Sequence, residues 1–269
     1  MIYKLFGLNY LLLSFFAGLF TWFITLIGSS FVFLNRRPNR KLFDCMLGFA
    51  GGVMISASFF SLLIPSMEYS KNLNIPFLIP VSTGFLLGSF FIFLLDKIIP
   101  HLHPNFQIYE KEGIKKELPF YFLLVLAITI HNIPEGLAVG VSFGALKHEK
   151  NYEIFLGALS LAFGIGIQNF PEGLAVSMPL STSGISKRKS FFYGQLSGIV
   201  EPIFSIIGAY LVSLFSKVLP YALSFAAGAM VYVVVEEVIP ETQKEKNTDI
   251  STISFIFGLL FMLIFDNLF

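Results

Sequence analysis

Two decapeptides, IHNIPEGLAV at residues 130–139 and IQNFPEGLAV at 167–176, agree at eight of ten positions, and both sit in the middle of long apolar stretches. Each carries a carboxylate (Glu135, Glu172), a side-chain amide (Asn132, Asn169) and a proline (Pro134, Pro171). A charge inside a bilayer span costs about 2.5–3.5 kcal/mol on insertion scales, so a repeated one marks a pathway or a ligand site. His131 and Glu135 lie four residues apart, as do Gln168 and Glu172, which puts each pair on one helix face. Asn132 and Asn169, three residues before their glutamates, fall on a neighbouring part of that face. The prolines lack an N–H, so they free the carbonyls of Ile130 and Ile167 and are expected to kink both helices. Freed backbone is tolerated at membrane depth only where it packs in protein or lines a cavity. Imidazole nitrogen with carboxylate and amide oxygens suits a borderline divalent ion: zinc first, with iron, manganese or cobalt as alternatives. Calcium and magnesium prefer all-oxygen shells, which His131 does not offer. A polar seam joining two helices explains one such motif more easily than a duplicated one.

Further carboxylates fall within apolar stretches. Glu201 precedes Pro202 in SGIVEP, repeating the combination of carboxylate and kink. Glu236 and Glu237 are adjacent, so at about 100° per residue only one is expected to face a pathway. With Glu135 and Glu172 these make five carboxylates and no Lys or Arg well inside a stretch. Ionised and unpaired, they would cost roughly 12 kcal/mol of insertion free energy, which protonation or a bound cation must remove. Met54 and Ser61 sit in GFAGGVMISASFFS among small residues that favour tight helix packing, and on chemistry alone Met54 reads as core. Glu68, Asp96 and Glu241 lie near stretch ends, where solvated surface charge is the expectation.

The elements that position these residues follow from composition. With 55% hydrophobic residues and 33 Phe, the chain has too little polar sequence to cover a soluble domain. It reads as an all-α polytopic membrane protein with one transmembrane domain over residues 1–269. Eight stretches reach bilayer length: approximately 8–34, 43–66, 75–96, 118–146, 153–181, 190–215, 219–240 and 251–268. Segment 97–117, the longest connection, holds His101 and His103. Thirteen of the 18 Lys and Arg follow odd-numbered stretches, so both termini should lie outside a cell membrane and 97–117 inside. The first stretch lacks a basic start and a cleavage site and reads as a retained helix. The single cysteine, Cys45, excludes an intramolecular disulfide, and a net charge of +1 gives no footing for nucleic acid. No similarity between the first three and last three stretches is strong enough to establish inverted repeats.

The HNxPEG and QNxPEG pair in consecutive stretches, with GFAGGVMISASFFSLLIPS, SGIVEP and VEEVIPE, resembles the ZIP (Zrt/Irt-like) family of divalent-metal transporters, most closely its prokaryotic GufA-like branch. The resemblance covers nearly the whole chain. It implies eight helices in two groups, 1, 4, 5 and 6 against 2, 3, 7 and 8, and import of zinc or a similar ion (Fe, Mn, Co, Cd) by alternating access, although a channel-like passage of metal down its gradient is equally compatible with these residues. It also implies a two-metal centre midway across the bilayer. His131, Glu135 and Glu172 would form the transport site, with Gln168 beside it. Asn132, Asn169, Glu172, Glu201 and Met54 would hold a neighbouring ion, Glu172 bridging the two. Ser61 and Glu68 match the outer entrance; Glu236, Glu237, His101 and His103 match the inner exit. Gln168 stands where many members have histidine, and Asn169 where some have a carboxylate, so a broad divalent range is expected in place of strict zinc selectivity.

The expected partners are metal ions and the lipid bilayer, with a homodimer left open. Two rival readings remain. An intramembrane metal-dependent hydrolase needs three protein ligands, an open position and a general base, yet HExxH is absent and His131 is the one histidine within a stretch. A proton- or sodium-coupled carrier of an organic substrate is the other.

Overall fold

Hydropathy and length alone lead to eight helices able to cross a membrane, and the structure contains them: α1 Tyr10–Leu34, α2 Arg40–Asn72, α3 Leu78–Ile98, α4 Tyr121–Lys147, α5 Tyr152–Thr182, α6 Lys187–Leu214, α7 Ser216–Gln243 and α8 Thr248–Leu268. These bounds include short 3-10 and π turns continuous with the α-helices. The structure is a computed structural model that describes residues 5–34, 40–99, 119–243 and 247–268. Among the described residues there is no strand. His101 and His103 lie outside them.

Several helices overrun the bounds expected from hydropathy. The stretch expected at 43–66 extends to Asn72, because Ile64–Asn72 continues the helix directly from the π turn with Pro65 at the junction. Ser66 and Ser70 then bury their hydroxyls against the Pro220 and Ser66 carbonyls, at 2.7 Å each. α4 and α5 run as single helices through Pro134 and Pro171. α6 is broken: Lys187–Leu196 gives way to a 3-10 turn at Ser197–Ile199, then Val200–Leu214. The break puts Glu201 in the first turn of the last segment.

Four helix pairs dominate the packing, α2 with α8, α3 with α7, α4 with α6 and α1 with α5, and α1 also lies along α6. Glycine permits each approach. A Cβ on Gly52 would overlap the Phe255 carbonyl, one on Gly88 that of Phe225, one on Gly140 that of Ser205 and one on Gly28 that of Phe170. Without a hydrophobic driving force between helices in lipid, this close backbone contact is what holds them together. The pairs assemble into the two groups expected, α1, α4, α5 and α6 against α2, α3, α7 and α8. The groups meet chiefly where α2 touches α5 and α7 touches α4. In the most apolar 18-residue window of each helix, 72% of residues are buried in α4 but only 17% in α8, so the motif-bearing helix is central and α8 peripheral.

Exchanging α1 with α6, α2 with α7, α3 with α8 and α4 with α5 maps each of these pairings onto another, and α1 with α6 onto itself. Exchanged helices differ in parity and so run oppositely, which is the signature of inverted repeats. Both α2 and α7 carry a π turn, at Ala57–Leu63 and Val234–Val238. FAGGVM at 49–54 and FAAGAM at 225–230 then align, each followed by proline eleven or ten residues after its Met. The repeat is in the sequence, but only the packing says which segments to compare.

Candidate metal centre

α4 and α5 bring the two decapeptides together, and α6 and α1 complete the cluster. Glu135, Asn132, Gln168, Asn169 and Glu201 are 0% exposed, while His131 and Glu172 are 6% and 7% exposed. Gln168 Nε2 donates to Glu135 Oε1 at 2.6 Å, and Asn169 Nδ2 donates to Glu201 Oε2 at 2.7 Å and to the Thr21 carbonyl at 3.2 Å. Thr25 Oγ1 donates weakly to the other Glu201 oxygen, at 3.4 Å. Glu172 interacts electrostatically with both Glu135 and Glu201, making one cluster of three carboxyls. His131 Nε2 pairs with Glu237 Oε1 across the interface between the two helix groups.

Among the described residues, no three His, Cys, Asp or Glu side chains converge closely enough to cage an ion. The donors satisfy one another in pairs instead, so an ion binding here has to replace the His131–Glu237 and Glu135–Gln168 partnerships. Several donor atoms remain without a hydrogen bond: both amide atoms of Asn132, Oε2 of Glu135 and Glu172, Oε1 of Gln168 and Oδ1 of Asn169. Buried polar atoms are nearly always paired, and leaving one unpaired costs about 1–3 kcal/mol. This density of them at one depth fits a site for a cation. All but one of the unpaired atoms are oxygens, hard donors that complement the His131 nitrogen.

Two cavities approach the cluster from opposite ends. The first, about 160 Å³, is lined by His131, Glu172 and Met54 at its inner end and by Glu236, Glu237 and Glu241 from α7. The second, about 300 Å³, is lined by Ser61, Glu68, Tyr69, Ser142, Glu149 and Glu153. None of the motif residues lines it. Ser142 lies two turns beyond Glu135 on α4, about 10 Å away. Ala57, Val139, Ala162, Ile165 and Met230 occupy that interval on their helices, each at most 3% exposed. The cluster is therefore reached from the first cavity and plugged toward the second.

Three expectations need correction. Glu236 and Glu237 both line the first cavity, although they are adjacent. They sit in the π turn Val234–Val238, whose wider turn brings successive side chains closer in azimuth than an α-helix does. Glu241 is no solvated surface charge: it is 5% exposed, lines the first cavity and pairs with Arg40. Asp96 is likewise buried, at 1%. Met54, a core residue on chemistry alone, is buried and also lines the first cavity. Glu68 is exposed as expected.

Sequence reasoning missed the residues that support the cluster. Thr21 and Thr25 are four apart in an otherwise Phe- and Leu-rich helix, a helix-face signal that was there to read. Asp266, another residue missed, lies apart from the cluster near the end of α8, beside Ser160 and the Ser61 of the second cavity, and gave no periodic signal.

Eight membrane-crossing helices packed in two symmetric groups, with a buried donor cluster reached by a cavity from one end, define a multi-pass metal-ion transporter rather than an enzyme. The family described as ZIP Zinc transporter matches residues 107–266. The chain is 39% identical to zinc transporter ZIP11 of Xenopus tropicalis, covering 97% of this chain and 98% of that one. It is 36% identical to zinc transporter ZIP11 of Homo sapiens (92% and 94%) and 37% identical to zinc transporter GufA of Myxococcus xanthus (93% and 96%). The chain belongs to the ZIP family of divalent-metal transporters.

Proposed function

We propose that this protein imports zinc, with other divalent transition metals admitted, by passing them through the cluster on α4 and α5. His131, Glu135 and Glu172 form the transport site with Gln168 beside it. Asn132, Asn169, Glu172, Glu201 and Met54 hold a second ion, and Glu172 bridges the pair. The carrying observation is the first cavity, to which the two motifs present His131 and Glu172 as their only polar side chains. The end of the bundle with the loops after α1, α3, α5 and α7 is rich in Lys and Arg and faces the cytoplasm, so this arrangement is inward-facing.

Ser61 and Glu68 belong to the outward side and receive the ion. Alternating access then requires the group α1, α4, α5 and α6 to move against the other, carrying the plug residues apart and closing the first cavity. Glu236 and Glu237 take the ion from His131 on its way inward, and His101 and His103 collect it loosely beyond. All the proposed ligands come from one chain, so no second copy is needed for the site.

Gln168 and Asn169 contribute neutral oxygens where a histidine and a carboxylate would bind zinc more tightly, so the metal range is broad. Radiometal uptake into proteoliposomes, with competition by Zn, Cd, Fe, Mn, Co and Mg, tests the reading. Uptake of zinc suppressed by Cd, Mn and Co but not by Mg is expected. Hydrolytic activity, or proton flux driven by an organic solute without metal uptake, would replace it.

A further inference from the structure

The mouth of the first cavity carries an ion-pair network that the transport site does not use. Arg40, at the start of α2, reaches Asp44 Oδ1 through Nε at 2.7 Å and Glu241 Oε1 on α7 through Nη2 at 3.0 Å. The same Nη2 donates to the Glu241 carbonyl at 3.3 Å. Asp44 is 0% exposed, and its other oxygen accepts from Asn247 Nδ2, just before α8, at 3.1 Å. The guanidinium also lies 5.5 Å from the centre of the Phe43 ring, which lines the cavity beside Glu241.

We propose that Arg40 is a tethered cation that fills a two-carboxylate position at the cavity mouth, so that an emerging divalent ion is not held there. This rests on the first cavity being the ion's way out. Two carboxylates reached by one guanidinium are placed for bridging by a single cation, and the Glu241 carbonyl adds a neutral oxygen within the same cluster, while Asn247 holds Asp44 by donating to it. An ion leaving past Glu236 and Glu237 would meet that position next, at the cavity mouth. Passage requires each station to bind weakly enough to release. Arginine suits the task because its charge is permanent and its planar fork engages both carboxylates at once. A staple that merely joined α2, α7 and α8 would have no need to engage a carboxylate lining the cavity.

The test counts bound ions in purified full-length protein by equilibrium dialysis with radioactive zinc and with cadmium. Arg40→Gln should bind one ion per chain more than wild type, and thermal stability of R40Q should rise with metal at concentrations that leave wild type unchanged. R40Q/D44N should lose the additional ion. R40K, which keeps a cation but not the fork, should bind it more weakly than R40Q. The additional ion should persist in R40Q/E172A, so failure of the transport-site assignment and failure of this proposal read out separately. Folded R40Q with the wild-type number of ions overturns the proposal. So does R40Q that fails to fold with and without metal, together with R40K showing no additional ion.

Discussion

The decapeptide on α4 and its copy on α5 share eight of ten residues, yet the fold treats their matching positions oppositely. On α5 the asparagine is clasped: Asn169 donates to Glu201 and to the Thr21 carbonyl. On α4 the equivalent Asn132 makes no hydrogen bond with either amide atom. The glutamates are reversed as well. Glu172 lines the first cavity, whereas Glu135 is sealed and held by Gln168. The first residue of the motif completes the inversion, with His131 at the cavity and Gln168 buried. Identical spacing thus gives two complementary halves: the asparagine of α5 is fixed by α1 and α6, that of α4 is left unpaired, and both copies keep oxygens without a hydrogen bond. Inverted-repeat packing explains it, because α4 and α5 meet face to face and cannot present the same residue to the same side.

Breaking the cavity-facing members should have the largest effect. His131→Ala and Glu172→Ala should each lower metal uptake at least about tenfold, about 1.4 kcal/mol of binding or barrier, at matched abundance in the membrane. Uptake near the wild-type rate in either variant would take the site away from the cavity's inner end.

The asparagines should separate stability from binding. Asn169→Ala leaves Glu201 without its short donor and should cost about 1–3 kcal/mol of stability, read by thermal unfolding in detergent. Asn132→Ala removes an amide with no partner, so stability should hold while metal affinity falls. Equal loss of stability in both would mean the α4 copy is structural too.

Gln168→His makes the two copies chemically alike. It should raise zinc affinity by about tenfold and favour zinc over manganese, since imidazole suits zinc and manganese ranks lowest in affinity. Competition binding with the two metals measures it, and an unchanged ratio would mean Gln168 does not reach the ion.

These residues were legible because membrane-embedded carboxylates and amides stand out against Phe and Leu. Eight helices and both motifs could be read from hydropathy and spacing. The π turns could not, since hydropathy does not register a switch from i→i+4 to i→i+5 bonding, and with them went the shared exposure of Glu236 and Glu237. Glu241 and Asp96 were read as span-end charges because sequence position says nothing of which ends meet. The repeat relating FAGGVM to FAAGAM was hidden by its brevity until α2·α8 and α3·α7 showed it.

The smallest effect is expected outside the cluster. His101 and His103 are two residues apart in a Pro-flanked segment and cannot close a site by themselves. Replacing both with Ala should change uptake less than about twofold, and abolished transport would make that segment part of the obligatory path.

Cadmium-soaked crystals, with anomalous scattering collected above the metal's absorption edge, test the central claim most directly. The account predicts a peak between His131, Glu135 and Glu172, with ligand distances of about 2.0–2.6 Å. A second peak should lie on the Asn132, Asn169 and Glu201 side, with Glu172 shared. Strong anomalous density elsewhere in the membrane-spanning helices, with none touching Glu172, would contradict it.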